Sequence, residues 1–216
     1  WAMHTYSTFT NPPVVELVQF PGHKVVRVLA DNQKLREKLA TLKLPTAELL
    51  KVDIGDGVSL DAWCLKPPGL NPSAKYPLLI HVYGEPASQT VSDRWRGGSG
   101  LWHWMLAQQG YIVASIENRG TPVPRGRTWR KMAFRQVGIL AAQDQAAGVR
   151  ALLELWPYAD AGRVGVWGWS GGMVAYVDTS AVGPCRTYEH RRDPAMTDPP
   201  SLACSQELPA CGAADD

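Results

Sequence analysis

The first forty-four residues alternate short apolar runs with polar breaks. Residues 14–20 and 24–30 are rich in Val, Leu and Phe and are separated by the letters PGH, which predicts two strands with a hairpin-type connection. Residues 31–44 then carry leucines three and four positions apart, which predicts a short helix. Asp31 or Asn32 can cap that helix at its amino end.

A second β-rich unit follows between residues 48 and 65. The letters GDG at 55–57 separate two runs of β-forming residues, so the segment is predicted to be a hairpin. Every second position from 58 to 64 is apolar, as in a strand with one buried face. Cys64 belongs to this alternation and is expected to be a small core residue.

The middle of the chain changes to strands that alternate with helices. Apolar strands are predicted at YPLLIHVYG, YIVASIENRG and RVGVWGW, and helices at GLWHWMLAQQG and GILAAQDQAAGVRALLELW. The second helix has an apolar stripe formed by Ile139, Ala142, Ala146, Val149, Leu153 and Trp156. This order predicts an α/β fold with a doubly wound, mostly parallel sheet whose strands are buried on both faces. Beyond Gly172 no sustained period is present.

The bulk composition narrows the classes of function. The chain has 216 residues, 45% of them hydrophobic, which is enough for a packed core. The net charge of +2 and the lack of a Lys/Arg run argue against a nucleic-acid partner. No apolar run is long enough for a membrane-spanning helix, and no signal peptide is visible in a chain that begins with Trp. The four cysteines form no C-x-x-C pair, so neither a metal nor a cofactor is expected.

The pentapeptide Gly168-Trp169-Ser170-Gly171-Gly172 carries the candidate chemistry. It matches G-x-S-x-G, in which a serine lies at a strained strand-to-helix turn and small residues permit close packing. An apolar strand precedes it, as this turn requires. Ser170 is therefore predicted to be a nucleophile, with the Gly171 N–H directed at the oxyanion.

Other polar residues in the apolar segments have two open interpretations. Residues 117–119 end a predicted strand and either line the rim of a pocket or form a structural salt-bridged turn. His81 and His103 lie inside apolar patterns and are expected to be packing residues. Asp144 lies on the long helix and is expected to be a solvated or capping group.

Four segments in order resemble one known family. KYPLLIHVYGEP, ENRGTPVPRGRTWRK, QDQAAGVRALLE and RVGVWGWSGG are together similar to the catalytic domain of the prolyl oligopeptidase family, in particular its bacterial dipeptidyl peptidase IV branch. The resemblance covers roughly residues 1–172. It implies a partial α/β-hydrolase preceded by the end of a β-propeller blade. Residues 1–44 would be that blade end and its exit helix, and 45–172 the first half of the peptidase domain.

The resemblance also implies roles and partners. Ser170 would be the nucleophile, and the hydroxyl of Tyr83 would join the Gly171 N–H in the oxyanion hole. The alternative for Tyr83 is a core tyrosine with a satisfied hydroxyl. The substrate would be a peptide cleaved after Pro or a small residue. A homodimer of the full-length protein and a periplasmic or secreted location are expected from the same resemblance.

The acid and the base are the missing part of this prediction. In α/β-hydrolases the chain order is Ser, acid, His, and only Asp178 and His190 follow Ser170 in that order. Eight and twelve residues between them leave no room for the strands that would hold the two groups. We therefore expect this chain to have little activity by itself. Residues 173–216 form an irregular tail, for which the hypotheses are a shifted reading frame, a foreign segment or a genuine short variant.

Two other functions stay open at this point. An esterase or acyl hydrolase uses the same fold and the same serine turn. A non-catalytic fragment that associates with a partner would need neither the acid nor the base.

Overall fold

A computed structural model describes residues 1–173 of the chain. Those residues contain two sheets, four α-helices and one 3-10 turn. The strands are β1 (Ala2–Tyr6), β2 (Val14–Gln19), β3 (Lys24–Ala30), β4 (Thr46–Asp53), β5 (Ser59–Lys66), β6 (Tyr76–Val82), β7 (Ile112–Glu117) and β8 (Ala159–Gly168). The helices are α1 (Gln33–Ala40), α2 (Gly97–Gln108), α3 (Gly126–Lys131) and α4 (Ile139–Leu155), and the 3-10 turn is Ser170–Met173.

The first sheet is antiparallel and has the order β1-β2-β3. It confirms the two predicted strands and adds β1, whose letters AMHTY show no apolar alternation. Strand β3 is exposed along its whole length, and the side chains of Val25, Val26, Val28 and Leu29 are each about half exposed. The assignment of residues 1–44 to a propeller blade, like the other domain bounds, stays a prediction.

Helix α1 lies within the predicted segment. Asn32 occupies the N-cap position in a left-handed conformation and makes no side-chain capping bond. Asp31 fulfils that role, because its Oδ1 accepts a hydrogen bond from the Gln33 N–H at 3.0 Å. Leu39 is the buried residue of the helix and packs with the core beneath the main sheet.

The second sheet has the order β4-β5-β7-β6-β8. The predicted hairpin is confirmed, since β4 and β5 pair antiparallel over eight residues each. Strand β6 pairs parallel with β7 and with β8, as the alternation of strands and helices predicted. Strand β5 pairs antiparallel with β7, so the sheet is mixed. Parallel neighbours require crossover connections, and α2 and α4 supply them.

The two faces of this sheet are covered by different helices, which confirms the α/β fold class. Ala62 and Cys64 pack on the side of α4, whereas Trp63 and Leu65 pack on the side of α2. Successive side chains of a strand point to opposite faces, so β5 contributes to both cores. Cys64 is fully buried, as expected, and burial raises the pKa of its thiol to about 12.

Helix α4 packs through a stripe that differs in part from the predicted one. Ala142, Ala146 and Val149 are buried as predicted, but Ile139 is 57% exposed at the first position of the helix. The close contact is made instead at Gly148, where an added Cβ would lie 2.7 Å from the Ile116 Cδ1. A small residue therefore sets the distance between α4 and the sheet.

An aromatic cluster fills the space between α2 and the sheet. The ring of His81 on β6 lies 5.2 Å from the ring of His103 and 4.7 Å from that of Trp167. His103 is almost fully buried and also contacts Trp63 at 5.3 Å. Among the described residues, neither nitrogen of His103 nor the Nδ1 of His81 has a hydrogen-bond partner. The expectation that both histidines are packing residues is confirmed.

Burial makes this cluster sensitive to acid. Loss of solvation lowers the pKa of His81 to about 4 and that of His103 to about 3, with nearby Arg96 acting in the same direction. Above pH 6.5 these imidazoles are neutral in both the folded and the unfolded chain. Below pH 6.5 the unfolded chain binds protons that the folded chain does not, so the free energy of unfolding decreases as the pH falls.

We predict that the free energy of unfolding decreases between pH 6.5 and pH 4 by up to about 1.4 kcal/mol per pH unit for each imidazole. Urea unfolding followed by circular dichroism at several pH values measures this slope. Phe has a shape similar to that of His. Replacing His103 by Phe should therefore reduce the slope by up to about 1.4 kcal/mol per pH unit, the contribution of one imidazole.

The matched control is His23→Asn, which removes an exposed histidine and tolerates its left-handed backbone (φ 53°). This control should keep the slope of the unmodified chain. Burial raises the pKa of the Glu117 carboxyl, so this group binds protons more readily in the folded chain than in the unfolded chain. Its effect on the free energy of unfolding is therefore opposite to that of the two histidines. An unchanged slope in His103→Phe would contradict the assignment of the pH dependence to the buried histidines.

Candidate active site

Ser170 lies at a sharp turn after the last strand of the main sheet. Strand β8 ends at Gly168, and the 3-10 turn begins at Ser170 itself. The Ser170 backbone has φ 55°, a left-handed conformation that non-glycine residues seldom adopt. The Gly172 N–H donates to the Trp169 carbonyl at 3.1 Å, which closes the turn. The side chain of Ser170 is exposed. The strand and the sharp turn that the G-x-S-x-G motif predicts are thus both present in the described residues.

Two glycines allow this turn to pack against the end of β6. A Cβ added to Gly168 or to Gly172 would lie 2.2 Å from the Val82 carbonyl oxygen, far inside van der Waals contact. The backbone of Tyr83 is also close, since a Cβ on Gly172 would lie 3.5 Å from its Cα. The glycines of the motif are therefore required by the packing of two backbones.

Tyr83 follows directly on the central strand β6. It lies one residue beyond Val82, which pairs with Gly168 at the end of β8. The Tyr83 side chain is half-buried. The structure thus brings Tyr83 and the turn of Ser170 to the same edge of the sheet, the carboxyl ends of the parallel strands, where α/β proteins bind ligands.

A buried polar network fixes the loop that carries Tyr83. The Asn118 Nδ2 donates to the Gly84 carbonyl at 3.0 Å, which ties the loop after β6 to the end of β7. Gln145 on α4 donates to the Ile116 carbonyl at 2.8 Å and to the Asn118 Oδ1 at 3.3 Å. Sequence analysis missed this role of Asn118 and Gln145, although three polar letters inside the apolar segment AAQDQAAG mark the place.

The structure corrects the expectation for Asp144, which is the neighbour of Gln145 on α4. Asp144 is fully buried rather than solvated. Its Oδ2 accepts from the Arg119 N–H at 2.8 Å, and its Oδ1 lies 2.6 Å from the Arg119 guanidinium. The hydrogen bond to Asp144 raises the pKa of Arg119. A carboxylate can be buried only when it is paired in this way, so the turn at 117–119 is a structural salt-bridged turn.

Glu117 completes the same region. Its Oε2 accepts hydrogen bonds from the Thr90 N–H at 2.8 Å and the Val91 N–H at 2.7 Å. Burial raises the pKa of this carboxyl, and the two backbone bonds only partly offset that effect. Glu117 therefore fixes the loop before α2. Within the described residues it makes no contact with the turn of Ser170.

The structure does not place a base beside Ser170. Among residues 1–173, no hydrogen bond joins Ser170 to a histidine, and His81 and His103 are enclosed in the aromatic cluster. Asp178 and His190 lie outside the described residues, as does the tail after residue 173. In the same range, no group of three or more His, Cys, Asp or Glu side chains has an arrangement suited to a metal ion. No helix between residues 1 and 173 combines the length and apolar character needed to span a membrane.

Comparison with known proteins agrees with this geometry. Residues 102–179 match the sequence profile described as "Prolyl oligopeptidase family". The chain is 32% identical over 168 residues to a probable dipeptidyl peptidase 4 of Aspergillus flavus, an alignment that covers 76% of this chain and 22% of that protein. The crystal structure of Porphyromonas gingivalis dipeptidyl peptidase 4 aligns with a TM-score of 0.77 at 36% identity, over 83% of this chain and 26% of that one.

A third comparison concerns the fold alone. The acylaminoacyl peptidase of Pyrococcus horikoshii aligns with a TM-score of 0.64 at 22% identity, over 79% of this chain and 26% of that chain. The chain therefore spans roughly a quarter of the length of these structures. A mixed sheet covered by helices on both faces, with a strained serine turn at the end of β8, defines the class as α/β-hydrolase. Over these aligned stretches the chain is similar to the prolyl oligopeptidase family.

The glycine contact gives a direct test of the turn. We predict that Gly168→Ala lowers the free energy of unfolding by about 1–3 kcal/mol, because the Cβ must displace the Val82 carbonyl. Urea unfolding measures the change. Gly98→Ala is the matched control, since a Cβ there meets nothing within 4 Å at the start of α2. That control should be neutral or slightly stabilising, and equal losses in both variants would contradict the packing argument.

Proposed function

We propose that this chain carries the nucleophile and oxyanion hole of a serine peptidase that cleaves peptides after Pro or a small residue. The observation that carries the proposal is the strained, exposed Ser170 at the end of β8, packed against β6 beside Tyr83. The relatives named dipeptidyl peptidase 4 support a dipeptidyl peptidase-like substrate preference.

The proposed chemistry is acyl transfer. The Ser170 Oγ attacks the scissile carbonyl carbon, its proton passes to a histidine, and the leaving amine departs with that proton. The developing oxyanion accepts hydrogen bonds from the Gly171 N–H and the Tyr83 hydroxyl. The position of Tyr83 directly after Val82, whose carbonyl packs against the Ser170 turn, supports this role.

The base and its orienting acid are proposed to lie outside residues 1–173. None of the four described histidines makes a hydrogen bond to Ser170, and two of them are held by aromatic packing. Because no described histidine is bonded to Ser170, we still expect this chain alone to have little activity. A homodimer and a periplasmic or secreted location stay predictions from the family resemblance.

Labelling by a fluorophosphonate probe tests the nucleophile. We predict slow labelling that mass spectrometry assigns to Ser170 and that Ser170→Ala abolishes, because the strained turn presents the hydroxyl even without its base.

Turnover of Gly-Pro-p-nitroanilide should be close to background. Rapid turnover lost in Ser170→Ala would refute the expected inactivity. Labelling that persists in Ser170→Ala would refute the nucleophile, and turnover of short p-nitrophenyl esters without peptides would favour an esterase.

The oxyanion hole has its own test. Removing the Tyr83 hydroxyl in Tyr83→Phe should slow fluorophosphonate labelling by about 10²-fold, a typical loss for one oxyanion donor. Tyr111→Phe is the control, since Tyr111 is an exposed tyrosine at the start of β7. A labelling rate that falls equally in both variants, or in neither, would rule out the proposed donor.

A further inference from the structure

A cleft lies next to the loop that carries Tyr83 and has no role in the chemistry above. It has a volume of about 640 Å³, which is in the range of ligand-binding clefts. One wall is Pro86, three residues after Tyr83, and the other is the segment that follows β7. The lining residues are Pro86, Pro122, Val123, Pro124, Gly126, Arg127, Arg130 and Lys131.

Three of the lining side chains are cations on one short helix. Arg127, Arg130 and Lys131 are spaced three and four residues apart on α3, so they share a face. The opposite side of α3 is anchored by Trp129, which is buried in the core and stacks with the Arg125 guanidinium at 4.4 Å. That anchor directs the three exposed cations away from the core and along the cleft.

These cations differ from their neighbours in having no counter-charge. Arg119 pairs with Asp144, and Arg125 pairs with Asp61 at 2.6 Å. No ion pair or hydrogen bond of Arg127, Arg130 or Lys131 is present within the described residues, and none of the eight lining residues is acidic. Like charges at these spacings oppose helix formation, so an anionic group in the cleft would relieve a repulsion that the fold leaves uncompensated.

The cleft is also within reach of a peptide at Ser170. Strands β8, β6 and β7 are successive neighbours in the sheet, and neighbouring strands lie roughly 4.8 Å apart. The end of β7 is therefore roughly 10 Å from the end of β8. The lining residue Pro86 lies three residues beyond Tyr83, which is at most roughly 10 Å of extended chain. The Asn118 bond to the Gly84 carbonyl holds the two walls of the cleft together.

We propose that this cleft is a subsite for acidic residues of the peptide substrate, about three to five positions from the scissile bond. Arg127, Arg130 and Lys131 bind the carboxylates, and the proline-rich walls contact the extended backbone. This inference rests on the proposed function, because it assigns the bound anion to the substrate of Ser170.

Fluorescence anisotropy with labelled peptides tests the subsite on the full 216-residue chain. The probes are Gly-Pro-Ala-Ala-Glu-Glu-Glu and Glu-Glu-Glu-Ala-Gly-Pro-Ala, each compared with its glutamine counterpart. We expect at least one acidic peptide to bind about five-fold more tightly than its counterpart at low salt. Its orientation shows on which side of the scissile bond the subsite lies. Screening should reduce the preference at higher salt.

A pair of charge-matched variants separates the cleft from the overall charge. The triple variant Arg127→Gln, Arg130→Gln, Lys131→Gln should bind acidic and glutamine peptides equally. The control triple Lys24→Gln, Arg27→Gln, Lys34→Gln removes three exposed cations from β3 and α1 and should keep the preference. Equal binding of all peptides by the unmodified chain, or equal loss of the preference in both triples, would overturn the proposal. Anisotropy needs no acylation, so a failure of Ser170 labelling bears on the proposed function and not on this measurement.

Discussion

The arrangement of this site depends on one backbone contact, the packing of the Ser170 turn against the Val82 carbonyl at the end of β6. No side chain fits at Gly168 or Gly172, because a Cβ at either position would overlap that oxygen. The left-handed backbone of Ser170 costs about 1–2 kcal/mol for a residue with a Cβ. The contact with the Val82 carbonyl also fixes the distance between the serine and Tyr83, since Tyr83 is the next residue after Val82. A central parallel strand thus positions both groups through its own carboxyl end.

The second element of rigidity is the polar network under the loops. Helix α4 contributes two adjacent polar residues from its buried face, Asp144 to the Arg119 turn and Gln145 to Asn118. Asn118 in turn donates to Gly84, so the helix, the end of β7 and the loop after β6 form one hydrogen-bonded unit. A buried polar group destabilises a fold when it lacks a partner. The Asp144 carboxylate and the Gln145 Nε2 are paired, whereas the Gln145 Oε1 has no partner among the described residues. The loop that carries Tyr83 is therefore held by bonds whose loss would leave a buried charge or amide behind.

The sequence predicted those parts of the fold that depend on apolar periodicity. Strands β6, β7 and β8 and helices α2 and α4 follow from continuous apolar runs and an apolar stripe. Burial on two faces explains the run in β7, which is buried throughout, whereas much of β8 is exposed or only partly buried among the described residues. Strand β1 was missed, since its residues are largely exposed and alternate in no apolar pattern. Asp144 was misassigned for the opposite reason. A single sequence shows a charge on a helix but does not show the Arg119 turn that approaches it from another strand. The turn at Ser170 was visible because its motif is a short contiguous pattern, whereas the contact of its glycines with the Val82 carbonyl joins distant parts of the chain and needed the structure.

Positioning and activation of the serine have different structural origins in this chain. Everything that shapes the Ser170 turn comes from β6 and β8, both of which precede it in the chain, so the turn can form within residues 1–173. Activation requires a base, and the described histidines are committed elsewhere: His81 and His103 are held in an apolar cluster that keeps them neutral at pH 7. An imidazole with a pKa near 3 or 4 is also a poor proton acceptor at neutral pH. As they lie in the cluster, neither imidazole suits the role of base, and the mechanism proposed for Ser170 therefore calls for a different histidine.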